Sequence, residues 1–177
     1  VLQRGVEAPV WGQAAPGQEV TVRLGDSKVK TKADEKGAWR VTFEPLEAGG
    51  PVKLTVTGAE DKISIDDVMI GEVWVCAGQS NMQFGLKSAA TGKEAVATAD
   101  VPAIRQYRYG KWTVSSPETA GGFSAVGFFF ARELHEKLDV PVGIINTAIG
   151  GTPAAAWTPR EVLADDEFLR DHVLGTW

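Results

Sequence analysis

The sequence predicts an α/β protein in which a small antiparallel β-sandwich, residues 1–70, precedes the first part of a parallel-sheet α/β domain, residues 71–177. Three observations predict it. Short alternating segments separated by turn residues fill the first seventy positions. From about Ile70 the pattern changes to strand, helix, strand, helix. Between those later strands lies one clear helical period, Ser124 to Leu138.

In the first part, Glu19–Leu24 alternates with Val20, Val22 and Leu24 on one face. Gly25-Asp26-Ser27 makes a turn, and Lys28–Lys32 is a polar strand in which Val29 faces inward. After a second turn at Asp34-Glu35-Lys36-Gly37, Trp39, Val41 and Phe43 alternate on the next strand. Gly49-Gly50-Pro51 breaks it, Val52, Leu54 and Val56 begin another, and Ile63, Ile65 and Val68 follow the charged turn at Glu60-Asp61-Lys62. In the second part, Val73–Ala77 reads as a buried strand running into Gly78-Gln79-Ser80-Asn81-Met82, and Ile104–Tyr109 as a more polar strand. The helix from Ser124 stacks Val126, Phe130, Leu134 and Leu138 at i+4, with Ser124 as its N-cap, and Pro141 forbids its continuation. Val142–Thr147 is then an apolar strand, Thr158-Pro159-Arg160-Glu161 reads as a capping box, and Asp166–Leu174 as a helix.

Composition narrows the function classes. The 177 residues carry 18 Lys and Arg against 23 Asp and Glu, a net charge of -5, with no basic cluster of the kind a nucleic-acid binder presents. The longest apolar stretches, Val126–Ala131 and Val140–Ile145, are far shorter than the ~18 residues of a membrane helix. A single cysteine, Cys76, excludes an internal disulfide and a cysteine metal cluster, and is expected to be a small buried hydrophobe. No metal or organic cofactor is expected.

Two loops follow predicted parallel strands, where open α/β sheets place their ligands. In the first, Gly78-Gln79-Ser80-Asn81, a serine directly after a strand can present its hydroxyl as a nucleophile to a pocket that backbone N–H groups also face. Met82 stands where the second glycine of a G-x-S-x-G elbow would be, and an ordinary turn is the competing reading. In the second, Asn146–Thr152, Gly150 and Gly151 leave room for a substrate to approach main-chain N–H groups. Trp157 suits either a pocket wall or core packing.

Together, Gly71-Glu72-Val73-Trp74, Gly78-Gln79-Ser80-Asn81-Met82 and the run from Asn146-Thr147-Ala148-Ile149-Gly150-Gly151-Thr152-Pro153 to Ala156-Trp157 resemble the sialate O-acetylesterase family, within the wider SGNH hydrolases. The amino-terminal Val1-Leu2-Gln3-Arg4-Gly5 through Val10-Trp11-Gly12 also resembles the opening of these proteins. The resemblance implies a carbohydrate O-acetylesterase acting on acetylated sialic acid or plant-wall polysaccharide, in a secreted or periplasmic setting. It implies Ser80 as nucleophile, an oxyanion hole from the N–H groups of Ser80 and of Gly150 or Gly151, and substrate contacts from Gln79, Asn81 and Trp157. It also implies a later Gln-Gly-Glu block and an Asp-x-x-His general base, neither of which occurs in these 177 residues; Ala154-Ala155-Ala156 replaces a segment that usually carries an acid. His135 and His172 lie in helical segments unsuited to the base role. The chain is therefore expected to be the amino-terminal portion of a larger hydrolase, partnered by the remaining portion of that domain. The alternative is a non-catalytic carbohydrate-binding protein carrying a disabled hydrolase remnant.

Overall fold

A computed structural model describes residues Val1–Thr176. Its strands are β1 (Leu2–Gln3), β2 (Ala8–Gln13), β3 (Glu19–Leu24), β4 (Ser27–Lys32), β5 (Ala38–Phe43), β6 (Gly49–Thr57), β7 (Lys62–Cys76), β8 (Val101–Arg108), β9 (Lys111–Ser115) and β10 (Val142–Asn146). Its α-helices are α1 (Ser80–Gln83), α2 (Gly92–Ala97), α3 (Ala125–Leu138), α4 (Arg160–Asp165) and α5 (Glu167–His172). The expected α/β class holds. Eight strands form one sheet in the order β4-β3-β6-β7-β10-β8-β9, with β1 on the side of β7, and β2 and β5 form a separate two-stranded sheet.

The alternation in the first seventy residues sorts side chains as the pleat requires. Val20, Val22 and Leu24 of β3 and Val41 and Phe43 of β5 are buried from facing sheets into one core, joined by Trp39, Ala8 and Val68. At full burial each such aliphatic side chain contributes about 1.5–3 kcal/mol. Where the sequence pattern changes near Ile70, the backbone does not break. The first part of β7 pairs antiparallel with β6, while Glu72–Cys76 pairs parallel with β10, in register from Val142↔Glu72 to Asn146↔Cys76. One strand thus belongs to both patterns. The Arg105 guanidinium, 7% exposed, reinforces the junction by donating to the Asp67 carbonyl at 2.6 Å and its carboxylate at 2.8 Å.

The packing departs from expectation in three places. The α3 stripe is largely turned outward: Ala125, Gly127, Phe128 and Ala131 are buried, whereas Val126, Phe130 and Leu138 are 40–44% exposed and Leu134 alone packs partly against the Ile144 core. The cause is close approach. A Cβ on Gly127 would lie 3.1 Å from Cys76 Sγ and 3.2 Å from Ile144 Cγ2, so Gly127 and Ala131 face the sheet there, while Phe128 is buried beside them against Phe123 and Leu86. In β7, Val75 is 62% exposed rather than buried: it points to the face of the strand opposite Cys76, which is the face α3 approaches through Gly127. The segment at Thr158 is not a capping box. Helix α4 begins at Arg160 without a side-chain cap, and the Thr158 hydroxyl donates backwards to the Ala154 carbonyl at 3.1 Å.

Strand β9 has no counterpart among the predicted strands. It forms a hairpin with β8 through a two-residue turn in which Tyr109 (φ 51°) and Gly110 (φ 79°) are both left-handed, the backbone that tight hairpins require. Ser124 does cap α3, its hydroxyl accepting from Gly127 N–H at 3.0 Å, and Asp166 caps α5 through Leu169 N–H. Among the described residues, no helix is long and apolar enough to cross a membrane.

Candidate active site

The parallel strands β7, β10 and β8 end on one rim of the sheet. Ser80 stands there as the first residue of α1, a single helical turn that starts three residues after Ala77, with Gly78 in a left-handed conformation (φ 135°). Ser80 is exposed, and among the described residues its hydroxyl takes part in no hydrogen bond. The hydroxyl is thus presented to solvent at the end of a strand.

The loop after β10 is stitched to this turn. Thr147 N–H donates to the Cys76 carbonyl at 3.1 Å and Ile149 N–H to the Gly78 carbonyl at 3.0 Å. From the opposite side, Gln79 Nε2 donates to the Thr152 carbonyl at 3.1 Å. These bonds bring Gly150 against the serine: a Cβ built there would lie 3.6 Å from both Cα and Cβ of Ser80. The Gly150 N–H donates to Gln83 Oε1, while Gly151 adopts φ 79° with open space where a Cβ would be. Trp157 is exposed at the end of a short 3-10 turn over Ala154–Trp157, and its Nε1 donates to Thr152 Oγ1 at 2.8 Å. The structure therefore gathers Gln79, Ser80, Gly150, Gly151 and Trp157 around one pair of loops. Asn81 is exposed on the outer turn of α1.

Beneath the loops lies a buried polar network that the motifs alone did not reveal. Gln106 of β8 accepts through Oε1 from Ser124 N–H at 2.9 Å and from Asn146 Nδ2 at 3.2 Å. Asn146 Oδ1 in turn accepts from Ala148 N–H at 3.1 Å, and the Ser124 hydroxyl lies 3.5 Å from Met82 Sδ. The network fixes the start of the Gly150 loop and the flank of α1 to the same two strands. Its signal in the sequence was the polar Arg105-Gln106 pair inside a predicted strand, since a buried amide needs partners.

The histidines lie elsewhere. His135 Nδ1 is 2.8 Å from the Val140 carbonyl at the end of α3, and His172 Nδ1 is 3.0 Å from the Phe168 carbonyl, its ring stacked on Phe168. Neither is hydrogen-bonded to Ser80. Cys76, just below Ser80, is buried, and that burial pushes its thiol above the ordinary value. Among the described residues no group of three or more His, Cys, Asp or Glu side chains could hold a metal ion.

A family model described as "Carbohydrate esterase, sialic acid-specific acetylesterase" matches residues 70–172, the span that carries both loops. The chain belongs to this carbohydrate esterase family. It is 31% identical over 183 aligned residues to the sialate O-acetylesterase of Homo sapiens, and 29% identical over 188 to that of Rattus norvegicus. The alignments cover 85% and 88% of this chain but 35% of each relative, so the chain spans about a third of their length. A crystal structure of a carbohydrate acetylesterase from Xanthomonas citri superposes with a TM-score of 0.90 at 36% identity, covering 93% of this chain and 41% of that one. The superposition extends the likeness from the esterase segment to the antiparallel strands before it.

Proposed function

We propose that residues 1–177 carry the nucleophile and the oxyanion donors of a carbohydrate O-acetylesterase, in which Ser80 attacks the acetyl carbonyl of an acetylated sugar. The observation that carries this reading is the placement of Gly150 against Ser80 at the ends of two adjacent parallel strands. Attack by Ser80 Oγ forms a C–O bond and pushes the carbonyl electrons onto oxygen. The Ser80 N–H and an N–H of the Gly150-Gly151 pair hold that oxyanion, each donor contributing about 2.7–4 kcal/mol at the transition state. Gln83 Oε1 accepts from Gly150 N–H in this state, standing where an oxyanion would accept, so substrate displaces it if Gly150 is the donor. Collapse expels the sugar hydroxyl and leaves an acetyl-enzyme, which water hydrolyses to acetate and free serine.

The proton of Ser80 needs a base, and neither His135 nor His172 reaches it. The histidine comes from further sequence of the hydrolase, in keeping with the share of the relatives' length that this chain spans. That further sequence packs on the open side of β7, where Val75 is 62% exposed and Trp74 meets the Phe130 ring edge-on at 5.2 Å. The sugar lies across Gln79, Asn81 and Trp157.

Hydrolysis of an aryl acetate and of an acetylated sugar by the chain, with the remaining hydrolase portion supplied, tests the proposal. Ser80→Ala is expected to lower kcat by at least a thousandfold with the fold intact. Equal rates for wild type and Ser80→Ala remove Ser80 from the mechanism. Sugar binding without turnover in the completed wild type favours the non-catalytic alternative.

A further inference from the structure

Four successive peptide N–H groups lead from β10 into the Gly150 loop, and one of them differs from the rest. Thr147 and Ile149 donate to the carbonyls of Cys76 and Gly78, on the way from β7 to the serine, and Gly150 donates to Gln83 Oε1. Ala148, between them, does not reach across to that chain. Its buried N–H turns back to Asn146 Oδ1 at 3.1 Å, two residues earlier. A buried N–H without an acceptor costs stability, so the course of this loop depends on where the Asn146 carboxamide points.

That direction is fixed at both ends by backbone donors. Ser124 N–H donates to Gln106 Oε1 at 2.9 Å, so Gln106 turns its oxygen, and not its NH2 group, to the centre of the network. Asn146 Nδ2 donates to the same oxygen at 3.2 Å, which leaves Oδ1 for Ala148. Gln106, Asn146 and Ser124 are all buried. Position 146 therefore calls for a group that accepts on one side and donates on the other. A carboxylate, an acceptor on both sides, would meet Gln106 Oε1 oxygen to oxygen. From β7 the Cys76 thiol lies opposite Asn146, held protonated by burial; from β8 comes the Gln106 amide, and behind it stands Ser124 at the start of α3. None of these three is charged near neutral pH.

We propose that Asn146 is a positioning residue for ester hydrolysis: the direction of its amide, set by Gln106, holds Ala148 and so aims the N–H groups of Gly150 and Gly151 at the oxyanion formed on Ser80. The inference rests on the Ser80 mechanism proposed above, and Asn146 itself touches no reacting atom. An aspartate in its place keeps the pattern only while protonated, when its O–H donates to Gln106 Oε1 and its C=O accepts from Ala148 N–H. Once ionised it has no donor for Gln106, and the loop loses its anchor. Burial without a counter-charge lifts such a carboxyl above its ordinary value of about 3.9, towards neutral pH.

Asn146→Asp in the completed hydrolase tests this, through kcat on an aryl acetate divided by the wild-type value at the same pH, with melting curves at each pH to check folding. The ratio is expected to be close to wild type at about pH 5 and to fall about ten- to a hundredfold by about pH 8. KM is expected to stay within about twofold throughout, because an oxyanion donor acts in the transition state. Asn146→Ala, which neither accepts nor donates, is expected to be slow at both pH values. Gln106→Met keeps the volume and removes the acceptor that orients Asn146. It is expected to lower kcat about tenfold without new pH dependence, and it carries the test by itself if Asn146→Asp does not fold. A ratio that stays level over this pH range, a loss that appears in KM instead, or an unchanged kcat in folded Gln106→Met overturns the proposal. Ser80→Ala measured alongside separates the two readings. If it is inactive while the Asn146→Asp ratio stays level, this inference alone falls; if it is fully active, the mechanism on which the inference rests falls with it.

Discussion

In the antiparallel half, Val20, Val22, Leu24, Val41 and Phe43 are each no more than 5% exposed, because the β2–β5 sheet packs its inner face against that of β3. In the parallel half, Trp74, Val75, Val126, Phe130 and Ile149 are each at least 40% exposed on and around β7 and α3. Both halves hang on the same strand and contain comparable apolar side chains. The first half spends its aliphatic residues on a core of its own. The second buries Leu86, Phe123, Phe128, Ile104, Val142 and Ile144 in cores of its own, yet leaves these five large residues outward. On the proposal above, these exposed apolar residues are where further sequence of the hydrolase packs.

The sharpest way to break this comparison is to truncate one aromatic in each half. Phe43→Ala, at 2% exposure, is expected to cost about 3–5 kcal/mol in urea unfolding, whereas Phe130→Ala, at 40%, is expected to cost no more than about 1 kcal/mol in the chain alone. Similar losses at both positions would mean that Phe130 already has its partner. A smaller effect is expected at the junction. Arg105→Ala removes the charged bonds to Asp67 and is expected to cost about 2 kcal/mol; two separate unfolding transitions in that variant would show that the pairing couples the halves.

The smallest effect belongs to Cys76. Burial holds its thiol above the ordinary value, so the folded state favours the protonated form. Its contribution to stability is complete below the thiol pKa of the unfolded chain and declines as pH rises from there through the raised folded value. The difference in stability between wild type and Cys76→Ala is therefore expected to shrink above about pH 8.5. A difference that stays level across that range would show that the thiol is not desolvated.

Much of this was legible in the residues because period-two alternation and turn chemistry are local. They located Glu19–Leu24, the strand to Phe43 and the loops at Ser80 and Gly150, and Ser124 marked the start of α3. What could not be read was set by distant contacts. Which face of α3 lies inward depends on the approach of Gly127 to Cys76 and Ile144, and a helical period of large apolar residues gives no hint of that clearance. The hairpin to β9 escaped because its turn uses Tyr109, a residue type that rarely adopts a left-handed backbone. Gln83 escaped because its bond to Gly150 spans 67 positions, and only the fold brings them together.

The central claim, that Ser80 is the nucleophile, is tested most directly by covalent capture. The completed hydrolase is treated with an aryl phosphonate that esterifies activated serines, digested, and read by mass spectrometry. The account predicts a single phosphonyl adduct on the peptide containing Ser80, forming in step with loss of esterase activity. Activity lost with the adduct on another residue, or retained while Ser80 is fully modified, would contradict it.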